Sequence, residues 1–339
     1  MHPKASLVAC IFAVASTVAR GDVTFVERDA SASPYVLDSE RDGARVIEYR
    51  VSTQLSGQRT QYVNSPLPLP ERCAASRSCF VVAVETLIDH RDLVHHLDIL
   101  QPKSAKTCES GRGSRRFSGV ARPARPLMWH ALPDASWDPQ APCVVIQTHF
   151  HNPAGQTPVD RTGVRLHVAS RPRPLVQRSI TIDLRPLSIP AKQERYFLTA
   201  TSHLRVDPAT RVDKVYVHAH LLAREMYVWL WRDGKKNDLY TEADWSFMHH
   251  YSLEQPIRLR AGDSLQQTCV YDSSSRNSTT RFGMGTETEM CRAYLDYSVP
   301  PNASDLVRKL RARWEGPLAP GANISTAVGP TPPGQAQGA

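Results

Sequence analysis

The sequence predicts an all-β protein made of two antiparallel β-sandwiches in tandem. Three observations support this. The chain has 339 residues, a length that suits two domains of ordinary size. Its 26 prolines favour strands and loops over long helices. Short apolar and β-branched runs, each bounded by Pro, Gly, Asp or Asn, recur along the chain, and no long stretch has the helical period.

Residues 1–21 have the pattern of a secretory signal peptide. Lys4 gives a basic start, an apolar run extends from Ala5 to Ala19, and small residues precede Asp22. An uncleaved membrane anchor is the alternative, but the run is short for a span of about 20 residues and contains serine and threonine. We therefore expect a protein that is secreted or resides in the secretory pathway lumen, without stable membrane insertion.

A first series of strand-like runs predicts a sandwich at residues 22–172. The runs are ARVIEYRVS (44–52), CFVVAVETLI (79–88), VHHLDIL (94–100), CVVIQTHFH (143–151) and GVRLHVAS (163–170). Residues 22–45 are mixed in character and suit an edge strand or an arm. The stiff, proline-rich SRPRPL at 170–175 marks the predicted domain boundary.

A second series predicts another sandwich at residues 173–300. The runs are RSITIDL (178–184), ERYFLTATSHL (194–204), KVYVHAHLL (214–222), MYVWLWRDG (226–234), PIRLRAGDSLQQTCVY (256–271) and MCRAYLDYS (290–298). The Asp-Gly pair in WRDGKK predicts a turn. After Trp314 the composition is Pro, Gly, Ala, Ser and Thr without pattern, so residues 301–339 are expected to be a mostly disordered tail.

The cysteines suit an oxidising compartment. Those that follow the predicted signal peptide are Cys73, Cys79, Cys108, Cys143, Cys269 and Cys291. Their even number suggests three disulfides. The last two stand apart from the rest and favour a pair within the second sandwich, whereas the pairing of the first four stays open. Glycosylation sequons begin at Asn277, Asn302 and Asn323, as expected for a secreted glycoprotein.

The charge does not indicate a nucleic-acid partner. The formal net charge is +8, and it becomes +6 without Lys4 and Arg20. Apart from the GRGSRRF run at 111–117, the basic residues are spread along the chain, without an RNA-binding signature or interleaved aromatic residues. A soluble basic surface is the simpler interpretation.

Many histidines occur in tight groups. The groups are His95–His96, His149 with His151, His218 with His220, and His249–His250. On a strand, residues i and i+2 point to the same face, so an H-x-H pair offers two imidazoles to copper, zinc, iron or nickel. A single such pair is more often structural than metal-binding. Adjacent histidines face opposite sides of a strand and can share a metal ion only where the strand bends, as at a β-bulge.

A sulfur ligand would single out copper among these metals. Met284 and Met290 lie in FGMGTETEMCRAY, and Met290 directly precedes Cys291. A methionine thioether is a soft ligand that selects Cu(I). Packing in the core is the commoner role of any one methionine. A disulfide at Cys291 would fix the backbone beside Met290, which makes Met290 the better candidate.

Taken together, these segments resemble the copper type II, ascorbate-dependent monooxygenase family. The similar segments are DLVHHLDILQ, QTHFHNPAGQTPVDRTGVRLHVAS, VHAHLLAREMYVWLWRDGK, AGDSLQQTCVY and EMCRAYLDY. They occur in the family's order and span about residues 79–298. No single motif is specific, but the combination is.

The resemblance implies two copper ions per chain, each with its own ligand set. His95, His96 and His149 would hold an electron-transfer copper in the first sandwich. The oxygen-binding copper in the second would be held by His218, His220 and Met290. The resemblance also implies jelly-roll-like sandwiches that face one another across a solvent-filled cleft. The activity implied is that of an oxidoreductase that uses O₂ and ascorbate to hydroxylate an unactivated C–H bond of a small organic substrate, with aromatic amines as candidates.

Three further positions bear on the resemblance. Tyr294, four residues after Met290, matches a tyrosine common in the family and is a candidate catalytic residue. Tyr216 stands where the peptide-hydroxylating branch has an arginine that holds a peptide carboxylate, which disfavours a glycine-extended peptide substrate. Cys79–Cys108 would match a family disulfide and would leave Cys73–Cys143.

Two other functions compete with the enzyme. One is a non-catalytic, secreted copper-binding or interaction protein of the same fold, and the other is a purely structural extracellular sandwich. Complete ligand sets in both halves favour the enzyme. The sequence indicates neither the substrate's identity nor the oligomeric state.

Overall fold

The chain folds almost entirely into β-strands. A computed structural model describes residues 22–29, 33, 35–37, 43–70, 73, 79–102, 104–110, 115–121, 129–131, 135–137, 143–245 and 250–329. Strands make up 58% and helices 3%, so the predicted all-β class is confirmed. The predicted signal peptide and His249 lie outside the described residues. Among the described ranges, no helix is long and apolar enough to cross a membrane.

Two sheets form the first sandwich. Its region of the chain holds β1 (Asp22–Asp29), β2 (Arg45–Gln54), β3 (Thr60–Pro68), β4 (Phe80–Leu87), β5 (Val94–Gln101), β6 (Arg115–Ala121), β7 (Trp129–Ala131), β8 (Ala135–Ser136), β9 (Cys143–His151), β10 (Val159–Asp160) and β11 (Gly163–Ala169). One sheet has the order β1-β2-β11-β4-β7, with β10 beside β2, and the other has the order β3-β9-β5-β6. Apart from β8, these strands pair antiparallel.

Two five-stranded sheets form the second sandwich. The strands are β12 (Leu175–Asp183), β13 (Ser188–Ile189), β14 (Tyr196–Arg205), β15 (Arg211–His218), β16 (Ala223–Arg232), β17 (Lys235–Glu242), β18 (His250–Arg258), β19 (Ser264–Tyr271), β20 (Thr280–Arg281), β21 (Arg292–Val299) and β22 (Val307–Pro317). The sheet orders are β18-β15-β21-β12-β8 and β17-β16-β19-β14-β22, and β13 pairs with β20. Strand β8 joins β12 in parallel and so crosses from the first region of the chain to the second sandwich.

Each sandwich has its own apolar core. One cluster of buried side chains is drawn from residues 47–168 and contains members of both sheets of the first sandwich. Another is drawn from residues 182–306 and fills the second. The alternation of a half-buried sheet is clear in β2, where every second residue from Ile47 is buried. The predicted domain limits at 172/173 and 300/301 stay predictions.

The predicted hairpin turn is confirmed. Asp233 and Gly234 have φ values of 51° and 72° and join β16 to β17. Two successive residues of positive φ form the turn whose twist matches that of the flanking strands, and Asp-Gly is a favoured pair for it.

The disulfides correct part of the expected framework. Cys269–Cys291 forms as predicted. The other bonds are Cys73–Cys79 and Cys108–Cys143, so the expected Cys79–Cys108 and Cys73–Cys143 pairings are wrong. A short helix, Ala105–Ser110, packs beside β9 and brings Cys108 to within 6.0 Å of Cys143, measured between Cα atoms. Cys73 and Cys79, six residues apart, then close a small loop of their own.

The predicted disordered tail is wrong for residues 307–328. Strand β22 pairs along its length with β14, and a helix at Ile324–Ala327 follows it. Ile324 and Val328 pack against the outer face of the β17-β16-β19-β14-β22 sheet, where Trp229 is buried. The composition of this segment did not predict that it is ordered, because two apolar side chains are enough to hold a polar segment against an aromatic surface. These side chains are Ile324 and Val328.

The sequence also failed to predict β3 and β17, and it merged β18 with β19. Strand β3 contains two prolines and β17 is mostly polar, so neither has the composition of a core strand. A turn at 259–263, with Gly262 at a φ of 91°, separates β18 from β19.

We expect Ile324→Ala to lower the free energy of unfolding by about 2 kcal/mol, because it removes a buried side chain that anchors the tail. Urea denaturation would measure the change. Val307→Ala, at a side chain that is 41% exposed in the same region, should change stability by less than about 0.5 kcal/mol. Equal effects of the two substitutions would contradict the anchored tail.

Candidate metal centre

A β-bulge turns two adjacent histidines toward one point. In the β5–β9 ladder, Val94 pairs with Phe150 and His96 pairs with His149, so the register shifts at His95. The extra residue on β5 reverses the usual alternation of side chains. The bend that an adjacent pair needs in order to share a metal ion is therefore present.

Three imidazoles have their Nδ1 atoms close together, namely those of His95, His96 and His149. The His149 Nδ1 lies 2.9 Å from that of His95 and 3.3 Å from that of His96. These ligand atoms all lie within 4.8 Å of one another. Two nitrogens that bind one metal ion at about 2.0–2.1 Å are themselves about 3 Å apart. All three side chains are buried, and the Nε2 of His149 has no hydrogen-bond partner.

The surroundings keep the His149 imidazole neutral. Burial, followed by the neighbouring His96 and His95, holds the pKa of His149 well below its usual range. A neutral imidazole is the form that binds a metal ion. The Asp98 carboxylate lies 4.0 Å from the Nε2 of His96, where it can orient that ring.

Tyr62 covers the same group from β3. It is the cross-strand neighbour of His149, and the two rings stack with centroids 4.0 Å apart and planes 11° from parallel. Burial raises the pKa of its phenol above the usual range. Sequence reasoning missed Tyr62, because β3 was not predicted and a lone tyrosine carries no signal.

A second pair of imidazoles lies at the end of β15. His218 is the last residue of that strand, and its ring centroid is 5.1 Å from that of His220. The Nδ1–H of His220 donates to the Thr288 carbonyl at 2.9 Å, which leaves Nε2 with the lone pair. That Nε2 is buried without a hydrogen-bond partner, as is the Nδ1 of His218.

Burial lowers the pKa of both histidines in this pair. The pKa of His218 lies well below its usual range, and that of His220 falls to about 4. Neutral, buried imidazoles with unused nitrogens cost free energy unless something binds them. Both histidine groups therefore fit a metal ion.

Met290 is held beside His220 by backbone contacts. It is fully buried and precedes β21, next to the Cys269–Cys291 disulfide. Its carbonyl accepts a hydrogen bond from the Tyr271 hydroxyl at 2.9 Å. Its N–H donates to the carboxylate of Glu289, which also accepts the N–H of His220. By contrast, Met284 is 43% exposed.

The two histidine groups lie against one another. The His218 ring centroid is 5.8 Å from that of His95 and 5.4 Å from that of His96. These separations are close to those within each group. The solvent-filled cleft expected between the sandwiches is therefore not found at this junction, because the imidazoles are buried and occupy the space.

Two further contacts join the sandwiches at this place. The Tyr62 hydroxyl donates to the Met284 carbonyl at 3.1 Å. The Arg59 guanidinium lies 2.9 Å from the Glu287 carboxylate. Tyr62 lies in β3 and Arg59 directly precedes it, so the contacts tie this end of β3 to the segment between β20 and β21, which leads to Met290.

Tyr294 lies on the face of the sheet that bears His218. It is the cross-strand neighbour of Tyr216, and their rings stack with centroids 4.8 Å apart. Arg292 is the cross-strand neighbour of His218 and donates to the Asp183 carboxylate at 2.9 Å. The side chains of Tyr216, Tyr294 and Arg292 are largely buried, so two stacked aromatic rings and a buried cation adjoin the second histidine pair.

Three other residues near the centre, two of them histidines, make different contacts. The His151 ring centroid is 6.4 Å from that of His95. Gln147 donates to Asn64 at 2.8 Å and so braces β9 against β3. His250 begins β18 and pairs with Tyr216 along the backbone.

Known proteins match this chain, and the matching family model lies in its second sandwich. The family model described as "Copper type II ascorbate-dependent monooxygenase, C-terminal domain" matches residues 185–307. Dopamine beta-hydroxylase of Canis lupus familiaris is 26% identical over 172 residues, which cover 45% of this chain and 27% of that protein. DBH-like monooxygenase protein 1 of Homo sapiens is 24% identical over 325 residues, covering 80% of this chain and 52% of that one. These matches make the chain similar to the copper type II, ascorbate-dependent monooxygenase family, most directly at residues 185–307, where the C-terminal domain model matches.

The similarity within this family is distant and partial. Tyramine beta-hydroxylase of Caenorhabditis briggsae is 36% identical, but only over 84 residues, or 24% of this chain and 14% of that one. The chain spans about a quarter to a half of the length of the other relatives named here. Among solved structures, the major capsid protein P2 of bacteriophage PM2 gives a TM-score of 0.38 at 9% identity over 74% of this chain and 96% of that one, too weak a similarity to argue from.

Similarity to a copper-dependent family gives the two histidine groups a test. We expect His149→Ala to remove the metal bound by the first group, since it deletes the ring whose Nδ1 contacts both neighbours. Copper retained after dialysis would be measured by mass spectrometry. His203→Ala, at an exposed ring bonded to Ser264, is the matched control and should leave the copper content unchanged. Wild-type copper content in His149→Ala would contradict the site.

Proposed function

We propose that the protein is a secreted copper monooxygenase that hydroxylates an unactivated C–H bond of a small organic substrate, using O₂ and ascorbate. The observation that carries the proposal is the pair of buried histidine groups whose nitrogens converge, or lack partners, at one place between the sandwiches. A structural sandwich has no use for such groups, because they destabilise the fold when nothing binds them.

The two groups suit different tasks. His95, His96 and His149 offer neutral nitrogens, which tolerate both oxidation states of copper and suit electron transfer. His218 and His220, joined by the soft thioether of Met290, would favour Cu(I), the state that meets O₂. When bound, the metal ions would supply one-electron transfer and oxygen activation. The protein's part is to hold the nitrogens, to keep them neutral and to exclude water.

The patch beside His218 supports an aromatic substrate. The stacked rings of Tyr216 and Tyr294 present a flat apolar wall next to the second group. Relatives are named dopamine and tyramine beta-hydroxylases, so phenylethylamines are the first class to test. Tyr294 is the proposed substrate-facing residue. Tyrosine at position 216 offers no charge for a peptide carboxylate.

Several features support a secretory location. The disulfides Cys73–Cys79, Cys108–Cys143 and Cys269–Cys291 need an oxidising compartment. The sequons at Asn277, Asn302 and Asn323 lie at exposed positions where a glycan can be attached.

A non-catalytic copper-binding protein of the same fold is the second candidate. The close contact of His95 and His96 with His218 favours this second function, because a closed, buried cluster of imidazoles suits the retention of a metal ion. Two unlike ligand sets favour the enzyme. Ascorbate-dependent oxygen uptake distinguishes the two functions, since a protein that only retains copper would not turn over.

We expect Met290→Ile to reduce ascorbate-dependent hydroxylation of a phenylethylamine panel by at least a hundredfold, because it removes the thioether of the oxygen-binding site. Product formation and oxygen uptake would be followed together. Met284→Ile, six residues earlier and exposed, should retain wild-type turnover. Normal activity in Met290→Ile would exclude Met290 from the ligand set, and absence of turnover in the wild type would favour the copper-retaining protein.

A further inference from the structure

Glu289 is a fully buried carboxylate between the two ligand segments of the second sandwich. We propose that it is a positioning residue, which sets the placement of His220 relative to Met290 and thereby determines how tightly the second site holds copper. The inference rests on the proposed function in that it takes these two residues as ligands. Glu289 itself contacts their backbones and need not touch the metal.

Both oxygens of Glu289 are occupied by backbone donors. Its Oε2 accepts the N–H of His220 and the N–H of Met290, each at 2.8 Å. Its Oε1 accepts the N–H of Leu222, also at 2.8 Å. Because one oxygen bonds both ligand backbones, their nitrogens cannot separate by more than twice that distance while the bonds persist.

The carboxylate takes the place of a missing strand neighbour. Strand β15 ends at His218, so the N–H groups of His220 and Leu222 no longer lie in its ladder. Buried backbone donors need acceptors, and the Glu289 side chain supplies them from the segment that carries Met290. The H-x-H segment is thus bonded to the methionine segment by one side chain instead of by a sheet.

The residue before Glu289 controls the ring of the same histidine. The Thr288 carbonyl accepts from the His220 Nδ1 and directs Nε2 to the site. Thr288, Glu289 and Met290 therefore contribute, in order, the ring orientation, the backbone anchor and the sulfur. A shift of this tripeptide would move three determinants of one metal site together.

The hydrogen bonds that Glu289 accepts suggest a substitution that removes some of them and keeps the size of the side chain. A carboxylate is an acceptor at both oxygens, whereas the glutamine amide replaces one oxygen with an NH₂ donor. In Glu289→Gln, that donor must face either Leu222 or the pair His220 and Met290, so at least one bond is lost while side-chain volume is kept.

Glu287 is the matched control. It lies two residues earlier, is 52% exposed in its side chain, and pairs with Arg59 and Arg276. Glu287→Gln removes the same charge from the same segment without touching the ligand backbones.

The experiment compares the full-length wild type, Glu287→Gln and Glu289→Gln. Copper(I) affinity at each site is measured by competition with a chromogenic chelator, sulfur ligation by X-ray absorption, and folding of the metal-free protein by near-ultraviolet circular dichroism. We expect Glu289→Gln to keep the fold and the first copper, to bind the second copper at least tenfold more weakly, and to lose sulfur scattering. Glu287→Gln should match the wild type.

The proposal is overturned if Glu289→Gln binds the second copper within twofold of the wild type and retains sulfur scattering. If Glu289→Gln does not fold, Glu289→Asp, which keeps the charge on a shorter side chain, is put to the same measurements and judged by the same outcomes. Loss of the folded spectrum in both variants would also overturn it, since Glu289 would then hold the sandwich and not the ligands in particular. A wild type without sulfur scattering would instead count against Met290 as a ligand, and the affinity ratio between the two glutamine variants would still test Glu289.

Discussion

Burial of five imidazoles at one junction is the constraint on which the rest of this structure depends. His95, His96 and His149 come from one sandwich, and His218 and His220 come from the other. Water is excluded from all of them, so their charged forms are disfavoured and their ring nitrogens need partners other than solvent. The fold meets this need for the His220 Nδ1 with the Thr288 carbonyl, and it leaves the Nδ1 of His218 and the Nε2 of His220 for a ligand.

The surrounding architecture places side chains at strand irregularities, not in the middle of regular ladders. The bulge at His95 brings neighbouring rings to one side. The end of β15 at His218 frees the following backbone to turn, and Glu289 receives the N–H groups that this turn exposes. Regular pairing fixes the sheets, whereas the site is made where pairing stops. Such positions allow ligands from separate strands to approach more closely than an unbroken sheet would permit.

Much of this arrangement could be predicted from the sequence, and the failures have physical causes. Apolar and β-branched runs bounded by turn residues predicted about half of the strands. The H-x-H spacing predicted that His218 and His220 lie together, and the adjacent pair at His95 required a bulge that is present. Long-range geometry could not be predicted in the same way. The pairing of Cys108 depends on how a short helix docks against β9, and the contact between histidine groups depends on how two sandwiches meet. The ordered tail depends on an aromatic surface distant in sequence.

The bonds that Tyr62 and Arg59 make to the segment between β20 and β21 have a mechanical consequence. That segment continues to Met290. It therefore connects the first sandwich, at one end, to a proposed ligand of the second site, at the other. Any hinge motion that drew the sandwiches apart would pull on this segment. The pull would reach the sulfur through the backbone of residues 284–290. Because the Arg59–Glu287 pair is exposed and screened by dissolved salt, it adds little to this connection, and the Tyr62–Met284 hydrogen bond carries most of it.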